Sequence, residues 1–193
     1  LTVPKGMNFV LMGPSGTGKS VTLKHVIGIL KPDQGSVRVD GQEVPTMDRP
    51  QLMALRKRMG YLFQNGALIN WLSVADNVAL PLQERRGASR AEILRRVRDK
   101  LQQLDLVGIE EKYPSQLSGG MKMRVALARA LVTEPEMVLF DEPTTGLDPM
   151  TSASIGKLIL DTRAETGCAT LIVTHDLALT RRVVIYLNVF RLF

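Results

Sequence analysis

GPSGTGKS, residues 13–20, decides how this chain is read. It follows the apolar run MNFVLM (residues 7–12), and Leu23, Val26, Ile27 and Leu30 recur behind it at helical spacing. Glycine weakens a helix interior, so three of them where a helix should start serve another purpose. They remove side-chain bulk and permit backbone angles that aim successive amides at an anion. The pattern G-x-x-x-x-G-K-[ST] between a strand and a helix is a phosphate loop, and the helix behind it adds the positive end of its dipole. Gly13, Pro14, Ser15, Gly16, Thr17, Gly18, Lys19 and Ser20 are therefore the candidate nucleotide-binding residues. Lys19 would reach the β- and γ-phosphates, and Ser20 would ligate magnesium.

MVLFDE (residues 137–142) is the natural complement, a buried strand ending in two carboxylates. Asp141 would hold the magnesium shell, while Glu142 would polarise the water that attacks the γ-phosphate. Alternation along a strand should send the two side chains to opposite sides. LSGGM (residues 117–121) places Ser118, Gly119 and Gly120 ahead of a helix, a second candidate anion site at a helix start. One nucleotide does not need two such sites in one chain, whereas two chains facing head to tail would use both. His175 follows the apolar run ATLIVT (residues 169–174), at the strand edge where α/β sheets bind ligands. His25 has no such placement and reads as a helix-surface residue.

The remaining pattern alternates strands and helices. Pro32 and Gly35 are expected to stop the first helix, SVRVDG reads as a short strand and turn, Arg49 to Lys57 as a helix and MGYLFQ as a strand. SRAE (residues 89–92) reads as a capping box, followed by the helix face Ile93, Val97, Leu101 and Leu104, which ends by Gly108. Helices over Met121 to Val132 and Ser152 to Glu165 flank the apolar runs 137–140 and 169–174. The expectation is an α/β chain with a mostly parallel sheet covered on both faces.

With all motifs in view, the chain resembles the nucleotide-binding subunit of an ABC transporter. The family's motifs stand in its order: GPSGTGKS, FQ at Gln64, LSGGM, MVLFDEP, GLD at Gly146 to Asp148, and His175 in VTHD. The resemblance implies a P-loop NTPase core over about residues 1–65 and 117–193, with an inserted helical subdomain over about 66–116. It implies ATP sandwiched between the phosphate loop of one subunit and Ser118 to Gly120 of a second copy. Asp148 would communicate across that dimer, His175 would contact the γ-phosphate, and Gln64 would sense both the metal and the transporter. FQNGALINWLSVADNVALPL is similar to the ATPases of bacterial Mce/Mla-type lipid-transport systems, which share GAL after the glutamine and a DNVA-PL pattern. The methionine in LSGGM leans the same way. The expected partners are a membrane permease, received near Ala67, Leu68, Ile69, Trp71 and Leu72, and an Mce-domain lipid-binding component. Rival readings are a small-solute importer and a soluble non-transport ABC ATPase.

Composition sets the outer bounds. The 193 residues, 45% hydrophobic and 23% charged, suit a folded chain with a real core. A net charge of +6 is spread out, its densest group interleaved with leucine, valine and acids at helical spacing, so no nucleic-acid partner is expected. No apolar run is long enough to span a bilayer, the start lacks a secretion-signal pattern, and a lone Cys168 fits a reducing compartment. Taken with the resemblance to an ABC transporter subunit, the expectation is a peripheral place at the cytoplasmic side of an inner membrane. Both ends read as short for the family: an aromatic that stacks on adenine would precede Leu1, and C-terminal helices would follow the β-rich Val183 to Tyr186 and the aromatic tail.

Overall fold

A computed structural model of the protein describes residues 2–85, 87–184 and 186–189. Strand β1 (Asn8–Met12) leads into helix α1 (Lys19–Val26), a small hairpin of β2 (Arg38–Val39) and β3 (Gln42–Glu43), helix α2 (Arg49–Lys57) and strand β4 (Met59–Leu62). Three helices follow: α3 (Val74–Glu84), α4 (Arg90–Gln103) and α5 (Gly119–Leu131). The chain closes through β5 (Met137–Asp141), α6 (Pro149–Thr166), β6 (Ala169–Thr174), α7 (Leu177–Val183) and β7 (Tyr186–Val189). The main sheet has the order β4-β5-β6-β1-β7, and each neighbouring pair is parallel. The expectation of a mostly parallel sheet is met.

Period-two alternation explains how the sheet is covered. Phe9, Leu11, Leu139, Leu171 and Val173 pack with Leu23 and Ile27 of the α1 segment on one face. Val10, Val138, Phe140 and Ile172 face the other way, into a larger core with α3 to α7. Burying each such side chain contributes about 1.5–3 kcal/mol. Apolar residues at consecutive positions therefore hold β5 and β6 inside the sheet, with helices on both sides. Among the described residues, no helix is long and apolar enough to cross a membrane.

Several boundaries differ from the sequence reading for local reasons. Helix α1 ends at Val26, well before Pro32, because Gly28 turns left-handed at φ +67°. Arg56 of α2 then donates to the Ile27 and Gly28 carbonyls at 2.8 and 3.0 Å, leaving Leu30 outside the helix. At α4, Ser89 accepts from the Glu92 amide at 3.2 Å, but Glu92 pairs with Arg96 instead of closing the expected box. A reciprocal box forms at α2, between Asp48 and Gln51. Helix α4 stops at Gln103, ahead of Asp105 at φ +55°, so Gly108 is not its terminator. Val183 is the buried last residue of α7, and the strand starts only at Tyr186. The expected aromatic tail, residues 190–193, lies outside the described residues.

Gly60 in β4 shows how tightly α5 sits on the sheet. A Cβ there would lie 2.3 Å from the Ala130 carbonyl oxygen, a backbone atom at the end of α5. Gly60→Ala is expected to lower stability by about 1–3 kcal/mol, the usual cost of overpacking. Urea denaturation checks this; an unchanged midpoint would mean that α5 shifts freely.

Candidate active site

A parallel sheet gathers the C-terminal ends of its strands on one edge, and the chemistry sits there. Gly13 follows β1, Asp141 ends β5 and His175 follows β6. Among the described residues, α1 is the one α-helix whose first turn has no side-chain cap. The others are capped by Asp48, Ser73, Ser89, Ser118, Asp148 and Asp176. Its first turn carries no acidic residue, and Gly18 enters it left-handed at φ +88°. Gly16, also left-handed at φ +85°, has nothing within 4 Å of the place its Cβ would take. Unpaired amides at a helix start, reached through an open glycine loop, form an anion cradle.

Lys19 folds back into that cradle. Its ammonium donates to the Gly13 and Pro14 carbonyls at 2.7 and 2.9 Å, and lies 3.2 Å from Glu142 Oε1 with the side chain 5% exposed. Thr17 also donates to the Pro14 carbonyl, fixing the loop. The other Glu142 oxygen, Oε2, lies 2.8 Å from His175 Nδ1. It also accepts from the Thr145 and Thr174 hydroxyls and from the His175 backbone amide, each at 3.3 Å. Burial pushes the Glu142 carboxyl up, but hydrogen bonds from His175 and Lys19, and their charges, outweigh it and hold the group below its ordinary range.

Asp141 is separated from Glu142 by more than strand alternation. Glu142 has left the strand at φ +50°, a left-handed conformation that re-aims its side chain toward Lys19 and His175. Asp141 Oδ1 accepts from the Ser20 hydroxyl at 2.6 Å, and Oδ2 from the Tyr61 phenol at 3.2 Å. Burial, the nearby Asp141 charge and that hydrogen bond push the phenol above its ordinary value, so Tyr61 stays a donor. A serine hydroxyl beside one carboxylate is a hard oxygen pair of the kind magnesium uses when phosphates supply further ligands. Among the described residues there is no cluster of three or more His, Cys, Asp or Glu that could hold a metal by itself.

The remaining sequence-chosen residues stand apart from this cluster. Helix α5 already includes Gly119 and Gly120, so they form its first turn and do not precede it. The Ser118 oxygen accepts from the Met121 amide at 3.2 Å, serving as a cap on an exposed helix start. Gly120 fits closely against α6, since a Cβ there would lie 2.6 Å from a Thr151 methyl. Asp148 caps α6 through the Met150 and Thr151 amides, both at 3.0 Å. Gln64 is exposed in the turn after β4 and makes no side-chain hydrogen bond to Asp141, Glu142 or His175.

Sequence reasoning passed over Tyr61, Thr144 and Asp176. Asp176 caps α7 through the Ala178 and Leu179 amides and accepts from the Thr144 hydroxyl at 2.8 Å, tying the segment behind Glu142 to the segment behind His175. Its capping position was legible; its tie to Thr144 was not. Burial raises the Asp176 carboxyl, yet hydrogen bonds from Leu179, Thr144 and Ala178 bring it below its ordinary 3.8. Its stabilisation is thus complete above 3.8 and lost as pH falls through the lower folded value. Asp176→Ala is expected to cost about 1–2 kcal/mol at neutral pH, as loss of a helix cap does. The difference from wild type should shrink in acid; denaturant midpoints measured across pH 2–7 check it, and a pH-independent difference would refute the linkage.

Comparison with known proteins accords with this geometry. The family model described as "ABC transporter" matches residues 1–145. The chain belongs to the ABC transporter family. Over 183 residues it is 45% identical to a probable ribonucleotide transport ATP-binding protein, mkl, of Mycobacterium leprae, covering 95% of this chain and 53% of that protein. It is 43% identical over 176 residues to the intermembrane phospholipid transport system ATP-binding protein MlaF of Escherichia coli, covering 91% and 65%. The methionine import ATP-binding protein MetN of Thermobifida fusca is 44% identical over 186 residues, covering 95% and 57%. The chain thus spans about half to two thirds of these relatives. A solved dimeric, post-hydrolysis ATP-binding cassette bound to ADP and Pi superposes with a TM-score of 0.90 at 35% identity, covering 99% of this chain and 84% of that one. The ABC cassette fold expected from the motifs is the fold observed.

Proposed function

We propose that this chain binds ATP with magnesium, hydrolyses it in a head-to-tail pair with a second copy, and powers a membrane transporter of the phospholipid, Mce-associated type. One observation carries the catalytic part: the buried Lys19–Glu142 pair, with the half-exposed His175 on the second Glu142 oxygen, beside the uncapped start of α1. Lys19 and the first amides of α1 are the anion-binding half. Glu142 is the base, held in reserve by a full set of donors. Drawn to phosphate oxygens, Lys19 and His175 relinquish Glu142, whose basicity then rises to meet the attacking water. Ser20 and Asp141 would hold magnesium, which neutralises charge on the β- and γ-phosphates.

The second copy would supply Ser118, Gly119 and Gly120, and Asp148 would report one site to the other. The exposed start of α5 and the dimeric state of the ADP-bound cassette support this reading. Gln64 would complete the site as metal and transporter sensor, at the start of a helical subdomain over about residues 66–116. The similarity to MlaF and the GAL and DNVA-PL patterns support phospholipid transport with an Mce-domain partner. The similarity to MetN at nearly equal identity favours a second reading, a small-solute importer. In either case the chain would sit at the cytoplasmic face of the inner membrane, bound to a permease.

Purification of tagged Glu142→Gln protein with MgATP from detergent-solubilised native membranes separates these readings. Recovery of a permease with an Mce-domain protein is the expected result. A permease with a solute-binding protein would replace lipid transport by solute import.

A further inference from the structure

The turn directly after Gln64 has an unusual backbone. Asn65, Gly66 and Ala67 are consecutive and all left-handed, at φ +60°, +76° and +45°. Glycine and asparagine tolerate this region, but alanine there is strained. Helix α5 holds the turn in place. The Arg129 guanidinium, half-buried, donates to the Gly66 carbonyl at 2.7 Å and to the Ala67 carbonyl at 2.9 Å. No carboxylate among the described residues pairs with Arg129, and burial alone pulls its pKa below the ordinary value. Its charge is therefore devoted to two backbone oxygens, a planar two-point grip that guanidinium suits and ammonium does not. The fit is close, since a Cβ on Gly66 would lie 3.1 Å from the Ala126 methyl of α5.

A second clamp lies a few residues on. Fully buried Asn77 of α3 accepts from the Ile69 amide and donates to the Ile69, Leu72 and Ser73 carbonyls at 3.0–3.1 Å. Within the segment that Asn77 holds, Trp71 stands 80% exposed, the chain's single tryptophan. At the other end of α5 sits Ser118, eleven residues from Arg129, or about 16 Å along a rigid helix at 1.5 Å per residue.

We propose that Arg129 is a positioning residue that joins α5 and the turn after Gln64 into one mechanical unit. Displacement of Ser118 at one end of the helix is then carried to Gln64 and onward to the Trp71 loop. This rests on the reading that Ser118 meets ATP held by a second copy. The strained turn gives the device two states. Gripped by Arg129, it follows the helix; released, it relaxes toward ordinary backbone angles and the linkage is lost.

Trp71 supplies the readout. In the Glu142→Gln protein, iodide quenching of Trp71 emission is measured with MgATP and with MgADP, and sedimentation velocity reports pairing. The expected result is an ATP-dependent change in quenching that accompanies dimer formation. In Arg129→Ala that change should be lost while the dimer still forms, and Arg129→Lys should restore part of it. An unaltered change in Arg129→Ala with an unaltered dimer would overturn the proposal, as would a parent protein that pairs without any change at Trp71. If the parent does not pair with MgATP, the dimer reading itself fails and the proposal falls with it; sedimentation identifies that case. Should Arg129→Ala fail to fold by circular dichroism, Arg129→Lys decides, with a reduced change in support and a full-size change against.

Discussion

Lys19→Ala is expected to weaken ATP binding about ten- to a hundred-fold, the weight of a hydrogen bond to a charged group at about 1.5–3 kcal/mol, and to abolish turnover. The same substitution should also lower the stability of the nucleotide-free protein. Lys19 and Glu142 form a pair with side chains only 5% and 9% exposed, and removing one partner leaves a buried carboxylate short of a counter-charge. Breaking such a pair typically costs about 3–5 kcal/mol. His175 and two threonine hydroxyls remain on the other oxygen of Glu142, so the lower end of that range is expected. Calorimetric titration with ATP and urea unfolding without nucleotide measure the two effects separately. Near-normal turnover would refute the site assignment. Unchanged stability would show that the pair is solvated in solution.

Glu142→Gln is expected to separate binding from chemistry. Glutamine keeps the shape of the side chain and a carbonyl oxygen that can accept from Thr145, Thr174 or His175, so the loop should stay in place. Lys19 keeps its grip on the Gly13 and Pro14 carbonyls and remains available for phosphate. Loss of the proton acceptor should reduce turnover by about 10²–10⁴-fold, the usual worth of a positioned general base. ATP affinity should fall far less than in Lys19→Ala, and ATP-bound protein should accumulate as a dimer. Steady-state turnover and nucleotide retention on a filter check both points. A variant hydrolysing at the wild-type rate would remove Glu142 from the role of base.

The contrast between these two substitutions rests on contacts that the sequence suggests but cannot draw. Ser20 and Asp141 meet although they stand 121 residues apart. Motif order placed both at the sheet edge, because strands that end in glycine or acid were legible from their apolar runs. Helix α2 and strand β6 appear with the expected bounds for the same reason: local pattern and packing agree there. Where they disagree, packing wins. Helix α1 stops at Val26, where Gly28 turns left-handed with Leu52 of α2 packed against it and Arg56 bound to the Ile27 and Gly28 carbonyls. Glu142 escapes strand alternation through one left-handed residue, which nothing in DEP announces.

The residues that tune the site were the least legible. Tyr61 reads as one more apolar strand position, and its bond to Asp141 depends on β4 lying beside β5. Arg129 reads as a helix-face charge, and its role depends on a left-handed turn more than sixty positions earlier being brought against α5. Long-range register and rare backbone angles carry little signal in residue type. The anion cradle of α1 is the opposite case. Its glycines, its lysine and its missing cap are local, and the sequence displays all of them.

Two copies are expected to build one hydrolytic site, each giving Lys19 and Glu142 to one nucleotide and Ser118 to the other. ATP turnover per chain, measured at saturating MgATP over a range of protein concentrations, tests it most directly. Specific activity should rise with concentration toward a plateau, with Ser118→Arg depressing it at every concentration. Activity per chain that is constant down to the lowest concentration, and indifferent to Ser118→Arg, would contradict it.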